Sequence, residues 1–203
     1  MNGRQHMIGL MHRVCVFCGS SRGGRPVYAE AAREMGREIV ARQLTLVYGG
    51  GQVGLMGEIA NEVLAGGGEV VGVIPHALAS REIAHQKLTK LHVVDSMHDR
   101  KALMAQLSDA FIALPGGFGT YEEFFEAVTW TQLGVHRKPC GLLNVAGFYD
   151  PMVSFLDRAV DEEFVRPQHR ATILVDTSPG RLLDELGRIH LPDVPKWIDM
   201  AQA

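Results

Sequence analysis

Cysteine is scarce in this chain of 203 residues: Cys15, Cys18 and Cys140 cannot make a disulfide framework. Cys15-x-x-Cys18 has the spacing of a metal or redox pair, but no second pair follows at zinc-finger distance. Cys15 also falls inside the strand-like Val14 to Phe17, where it reads as core. The nine histidines are scattered and include no His-Glu-x-x-His, so no metal is expected. No apolar run is long enough to cross a bilayer, and Met1 to His12 lacks the apolar centre of a signal peptide. The expectation is a cytoplasmic protein with no membrane partner. Neither sign of charge dominates, and a net charge of -3 gives no support to binding of nucleic acid. Repeats, low-complexity tracts and linkers are missing as well. What remains is a small-molecule partner and one domain over 13–203, with 1–12 expected to be a disordered N-terminal extension.

The residues that are present, 46% hydrophobic and 21% charged, describe a soluble globular chain large enough to bury a core. Apolar runs alternate with helical patterns. Strands are expected at Arg13 to Phe17, Leu44 to Tyr48, Val70 to Ile74, Leu91 to Val94, Ala110 to Leu114, Pro139 to Val145 and Ile173 to Val175. Helices are expected from Pro26 to Arg42, from the glycine turn after Tyr48 to Gly66, after Asp95 or Ser96, after Thr120, and over Tyr149 to Phe164 and Pro179 to Ile189. This order implies an α/β fold, a doubly wound, Rossmann-like and mostly parallel sheet with helices on both faces. In such sheets ligands bind beyond the carboxyl ends of the strands. The turns holding Gly19, Ser20 and Ser21, then Gly50 and Gly51, then Pro75, then Gly116 to Thr120 all lie at that end.

Gly49, Gly51 and Gly54 fit Gly-x-Gly-x-x-Gly between a strand and a helix, the context of a dinucleotide site. The third strand, however, runs straight into Pro75-His76, with no acidic residue to hold a ribose hydroxyl, which disfavours a redox cofactor. Arg100 and Lys101 sit in the first turn of a helix, where cations oppose the dipole. They are either surface charges or cations held toward an anionic ligand.

The chain is organised around Leu114-Pro115-Gly116-Gly117-Phe118-Gly119-Thr120-Tyr121-Glu122-Glu123, a strand end, a glycine turn and a helix start. Three glycines in four positions allow close backbone approach, and unpaired amides at a helix N-terminus favour an anion such as phosphate. Thr120 and Glu123 also have the spacing of a capping box, which would make Glu123 structural.

Pro115-Gly116-Gly117-Phe118-Gly119-Thr120-Tyr121-Glu122-Glu123 resembles in full the Pro-Gly-Gly-x-Gly-Thr-x-x-Glu signature of the LONELY GUY family, the cytokinin riboside 5'-monophosphate phosphoribohydrolases. Met97 to Lys101 is similar to the family's second signature, and Val47 to Gly51 with Gly54 to Gly57 to its glycine-rich turn. The similarity runs from about Val14 to Leu186. It implies hydrolysis of the bond between an adenine-type base and ribose 5-phosphate, with AMP as a further substrate and no cofactor. By matching position it implies a catalytic pair in Arg100 and Glu123, and nucleotide contacts at Glu82, Arg100, Lys101, Gly117 through Glu123, and Thr129. Gly19, Ser20, Ser21, Gly50, Gly51 and Gly116 are further candidate contacts from the converging turns. A carboxylate beside the anomeric carbon would stabilise positive charge on the sugar or activate water. Arg100, which holds its proton firmly, is given an orienting and electrostatic role.

Family members have often been labelled lysine decarboxylases, yet nothing marks Lys87, Lys90, Lys101 or Lys138 as a Schiff-base lysine. The rival reading is a nucleotide or molybdenum-cofactor carrier without hydrolytic activity. The helix after Glu123 carries Phe124, Phe125, Val128, Trp130 and Leu133, more apolar surface than one sheet face needs, so a homodimer is expected.

Overall fold

The structure is a computed structural model describing residues 11–79 and 84–192. Its elements run β1 (Arg13–Phe17), α1 (Pro26–Ala41), β2 (Thr45–Tyr48), α2 (Gly54–Ala65), β3 (Val70–Pro75), α3 (His76–Ala79), β4 (Lys90–Val94), α4 (Met97–Leu107), β5 (Ala110–Ala113), α5 (Phe118–Gln132), β6 (Cys140–Leu143), α6 (Asp150–Asp161), α7 (Pro167–Arg170), β7 (Ile173–Asp176) and α8 (Pro179–Leu186). The seven strands form one parallel sheet in the order β4-β3-β2-β1-β5-β6-β7. This is the doubly wound α/β arrangement that the alternating pattern implies.

The chain winds outward from β1 to β4, then crosses back to lay β5 on the other side of β1. Val16 therefore pairs with Tyr48 on one flank and Ile112 on the other. Asp109 secures the crossing at the amino ends, where its Oδ2 accepts from the amides of His12 and Arg13, both at 2.8 Å. At the carboxyl ends the loops after β1 and β5 diverge to opposite faces and leave a crevice between them.

Side chains alternate along each buried strand, so both faces of β1 are apolar. Val14, Val16 and Cys18 join a core with α1, α2 and α8, while Cys15 and Phe17 join a second core with α4, α5 and α6. The two cysteines thus belong to cores on opposite faces of the sheet, and their spacing serves packing rather than a shared ligand. The short helices α3 and α7 fall in stretches whose sequence has no helical period long enough to read.

Gly54 shows how closely the loops of the crevice are fitted. Its φ is +61°, and a Cβ there would lie 2.2 Å from the carbonyl carbon of Ser20. The amide of Leu55, next in the chain, donates to Gly19 O at 3.0 Å. Replacing Gly54 with alanine should therefore cost about 2 kcal/mol or more, from the left-handed backbone plus an overlap with main chain that no rotamer relieves. Urea unfolding of Gly54→Ala would measure it, and a midpoint equal to the parent's would show that the two loops can separate freely.

Candidate active site

Helix α4 begins under a side-chain cap. Ser96 Oγ accepts from the Asp99 amide at 3.0 Å and donates to Asp99 Oδ2 at 2.6 Å. The next residue, Arg100, turns its side chain into the protein and is only 8% exposed. Its Nε donates to Val73 O of β3 at 3.1 Å, and its Nη1 donates to Glu123 Oε1 of α5 at 2.7 Å. The guanidinium lies where a side chain at residue 49 would be, since a Cβ on Gly49 would fall 2.1 Å from Nη2. That glycine, which fits a dinucleotide pattern in the sequence, makes room for an arginine. The surface-charge reading of Arg100 is thereby corrected: its cation is buried and paired with Glu123.

Helix α5 starts at Phe118, with Gly117 as its N-cap and no side-chain cap. The capping box that the spacing of Thr120 and Glu123 allows is therefore not formed, because the helix begins before Thr120 and places Glu123 well inside it. Glu123 shares its inward stripe with Ala127 and Trp130, one and two turns on. Burial pushes its carboxyl pKa up, and the Arg100 charge and hydrogen bond, pulling it down, do not cancel the shift. The result is a carboxylate more basic than a surface glutamate, held by a cation that cannot give up its proton.

The glycines around α5 divide into two groups. A Cβ on Gly116 would lie 2.1 Å from Thr120 Oγ1, so the backbone must pass close there. Gly19, whose amide donates to Pro115 O at 3.1 Å, seals the same crossing from β1. A Cβ on Gly117 or Gly119 would meet nothing within 4 Å, and neither residue has a positive φ. Packing and backbone conformation leave both positions free to carry a side chain.

The remaining candidates fall around this point in different ways. Ser20 and Ser21 are exposed at the mouth of the crevice. Gly50 adopts a φ of +76° against Ile74 and Leu91, and Gly51 bridges Ala84, so both shape the turn. Lys101 is paired with Glu122 and with Glu126, the latter at 3.0 Å, a network in which Glu126 was not anticipated from sequence. Tyr121 is half-buried and Phe118 is 92% exposed at the helix start. Glu82 lies outside the described residues. Thr129 is not brought to the site: it is exposed on α5, about 9 Å along the axis and about 120° around it from Glu123. Its Oγ1 donates to Phe125 O at 2.7 Å.

The seat of Arg100 generates a direct test. Gly49→Ala should displace the guanidinium, remove the cation from Glu123 and move the carboxyl titration to still higher pH. Carbon-13 shifts of the Glu123 carboxyl report this, and an unchanged titration would mean that Arg100 keeps its place.

Residues 56–186 match a family model described as a possible lysine decarboxylase. The probable cytokinin riboside 5'-monophosphate phosphoribohydrolase LOGL2 of Oryza sativa subsp. japonica is 54% identical over 174 residues, 86% of this chain and 71% of the relative. The cytokinin riboside 5'-monophosphate phosphoribohydrolase LOG7 of Arabidopsis thaliana is 52% identical over 174 residues, 86% of this chain and 80% of its own. Among solved structures, the molybdenum cofactor binding protein of Rippkaea orientalis has a TM-score of 0.64 at 19% identity, covering 85% of this chain and 93% of that one. This last likeness is one of fold. Relatives of such identity across most of the chain establish that it belongs to the family of cytokinin riboside 5'-monophosphate phosphoribohydrolases.

Proposed function

We propose that the chain hydrolyses the N-glycosidic bond of cytokinin riboside 5'-monophosphates and of AMP, releasing the free adenine-type base and ribose 5-phosphate. The observation that carries this reading is the buried Arg100–Glu123 pair standing beside an uncapped, glycine-lined helix N-terminus. The 5'-phosphate takes the amides at the start of α5, for which Gly117 and Gly119 leave space and Thr120 adds a hydroxyl. Ser20 and Ser21 line the opposite lip. Phosphate binding at a distance from the reacting bond orients the ribose, so that C1' meets Glu123.

Cleavage places positive charge on the sugar. The bond's electron pair leaves with the base, water oxygen joins C1', one of the water's protons goes to the departing base, and the other stays on the new C1' hydroxyl. Glu123 stabilises the oxocarbenium-like state or accepts a proton from that water, and its raised pKa makes it the stronger base. Arg100 holds the carboxylate in place and supplies charge without entering the proton traffic.

The residues do not fit pyridoxal phosphate chemistry. Lys138 Nζ donates to Ala105 O at 2.6 Å, Lys101 is engaged with two glutamates, and Lys87 and Lys90 are exposed. Lysine decarboxylation is therefore not part of this reading.

We extend the proposal to a homodimer in which Thr129 serves the partner's site. The position matches a nucleotide contact of the family, yet it cannot reach the nucleotide bound at its own helix start. The half-buried Phe125 and Val128 beside it supply an apolar surface for a second copy. A cytoplasmic location belongs to the same reading; all three cysteines are free and buried, as thiols in a reducing compartment persist. Among the described residues, no helix is long and apolar enough to cross a membrane.

Three outcomes are expected. Glu123→Gln should lower base release from AMP and isopentenyladenosine monophosphate by about 10²-fold or more while nucleotide binding persists, and the unphosphorylated riboside should be inert. Release that survived the substitution would remove Glu123 from the chemistry, and no release from the parent protein would favour a carrier. Because the carboxyl pKa is raised, kcat should fall as pH drops through a midpoint above the ordinary 4.5. This limb should vanish from the residual activity of Glu123→Gln; a midpoint at or below 4.5 would contradict the buried setting. For the dimer, inactive Glu123→Gln and inactive Thr129→Arg are mixed and allowed to exchange. Heterodimers then hold one intact site, so about a quarter of parental activity should return if Thr129 acts across the interface, and none if it acts within its own chain.

A further inference from the structure

The turn that receives the phosphate is braced from behind. Leu114, the residue before Pro115, is fully buried, and its amide donates to Phe17 O at 2.9 Å. On the other flank, pairing of β5 with β6 ends at Ala113 opposite Leu142. The Leu114 carbonyl would then be a buried acceptor with no strand partner, and a buried carbonyl without one is costly. Tyr149 supplies the donor: its hydroxyl reaches Leu114 O at 2.7 Å, from a ring 1% exposed.

The loop that delivers Tyr149 is itself tightly held. Asn144 takes the Asp176 carbonyl through its amide at 2.8 Å, accepts from the Tyr149 amide through Oδ1 at 2.8 Å, and donates through Nδ2 to Asp150 Oδ1 at 2.6 Å. Between Asn144 and Tyr149 the backbone passes through Ala146 at φ +51° and Gly147 at φ +76°. A left-handed alanine is strained, and such strain persists only where the surroundings impose it. Phe148 meets Tyr149 edge to face at 5.0 Å and fixes the ring from its side.

We propose that Tyr149 is a positioning residue for the phosphate turn, acting through the Leu114 carbonyl. Tyr149 from the β6 side and Gly19, on the Pro115 carbonyl, from the β1 side grip two consecutive peptide groups at the entrance to Gly116-Gly117. The orientation of those peptides sets where the amides of the α5 N-terminus point. Arg100 and Glu123 are fixed by other contacts, to Val73 and to each other, so the brace governs phosphate affinity and not the bond-breaking step. The inference rests on the phosphoribohydrolase reading and on its phosphate site.

The test is Tyr149→Phe, which keeps the ring and removes the hydroxyl. Ribose 5-phosphate and AMP are titrated by calorimetry, adenosine is titrated as the ligand without phosphate, and kcat and KM are measured with AMP. Affinity for both phosphate-bearing ligands should fall, and KM rise, by about tenfold, the size a lost buried hydrogen bond can reach. Adenosine affinity should stay within about twofold because adenosine has no phosphate for the amides of the turn, and kcat with AMP should do so because at saturation the phosphate still sits on that turn and orients the ribose. A general loosening of the fold would move kcat and adenosine binding too, and that result would overturn the proposal. Unchanged phosphate affinity in the variant, with a parent protein that binds ribose 5-phosphate, would overturn the brace alone. A parent that bound no phosphate ligand would remove the site and the brace with it. If Tyr149→Phe does not fold, Asn144→Ser, which loosens the same loop, is put through the same titrations with the same expected pattern.

Discussion

A buried ion pair is the constraint that the rest of this structure answers. Arg100 and Glu123 sit 2.7 Å apart with side chains each about one tenth exposed. Taking two charges out of water costs several kcal/mol per ion before their attraction is counted, so such pairs seldom add to stability. The shift of Glu123 carries the same message. A carboxyl whose folded pKa lies above its unfolded value favours the fold below that unfolded value, and the advantage is lost as pH rises through the folded one. At neutral pH the ionised glutamate is therefore a cost. The fold meets it with local devices: the Val73 carbonyl for Nε, the space left by Gly49, the Ser96 cap that sets the start of α4, and an apolar core on each face of the sheet.

The glycines of the crevice are best understood by what excludes a side chain at each. At Gly49 it is the guanidinium, at Gly54 the backbone of Ser20, and at Gly116 the hydroxyl of Thr120. These three are internal to the protein and would be required whatever the ligand. Gly117 and Gly119 differ because nothing in the chain competes for the space. A side chain there would stand over the first amides of α5, which carry the positive end of the helix dipole. The sequence presents these glycines as similar punctuation, and only coordinates separate the structural from the permissive.

Much of the architecture was legible in advance, because a doubly wound sheet writes itself as alternating apolar runs and helical periods. All seven strands fall where the runs lie, and the crevice follows from their order. What could not be read depended on partners far away in the chain. The cation of Arg100 looks unfavourable in its own helix turn, and its reason, Glu123, stands 23 residues on. The spacing of Thr120 and Glu123 satisfied a local capping rule, but the glycine turn allowed the helix to start earlier at Phe118. Tyr149 carried no signal at all, since a tyrosine opening an amphipathic stretch is unremarkable until its hydroxyl is seen on Leu114 O. Thr129 could be named by resemblance, and helix geometry alone set it apart from the other candidates.

The likeness to molybdenum cofactor proteins shows how little of the function resides in the fold. A chain 19% identical builds a related fold, and a carrier for an anionic ligand needs little more than loops, amides and room. Glu123 is what such a protein would have reason to avoid. An ionised carboxylate beside a bound phosphate is repelled by it, and repulsion in a dry site is stronger than in water. Burial has already raised the energy of that charge, and the pairing with Arg100 offsets only part of the rise. An arrangement that is unfavourable toward the ground state becomes favourable when positive charge grows on the sugar next to it. On the proposed reading that transient cation is the sugar of a glycosidic bond under hydrolysis, and the electrostatics of the pair suit it.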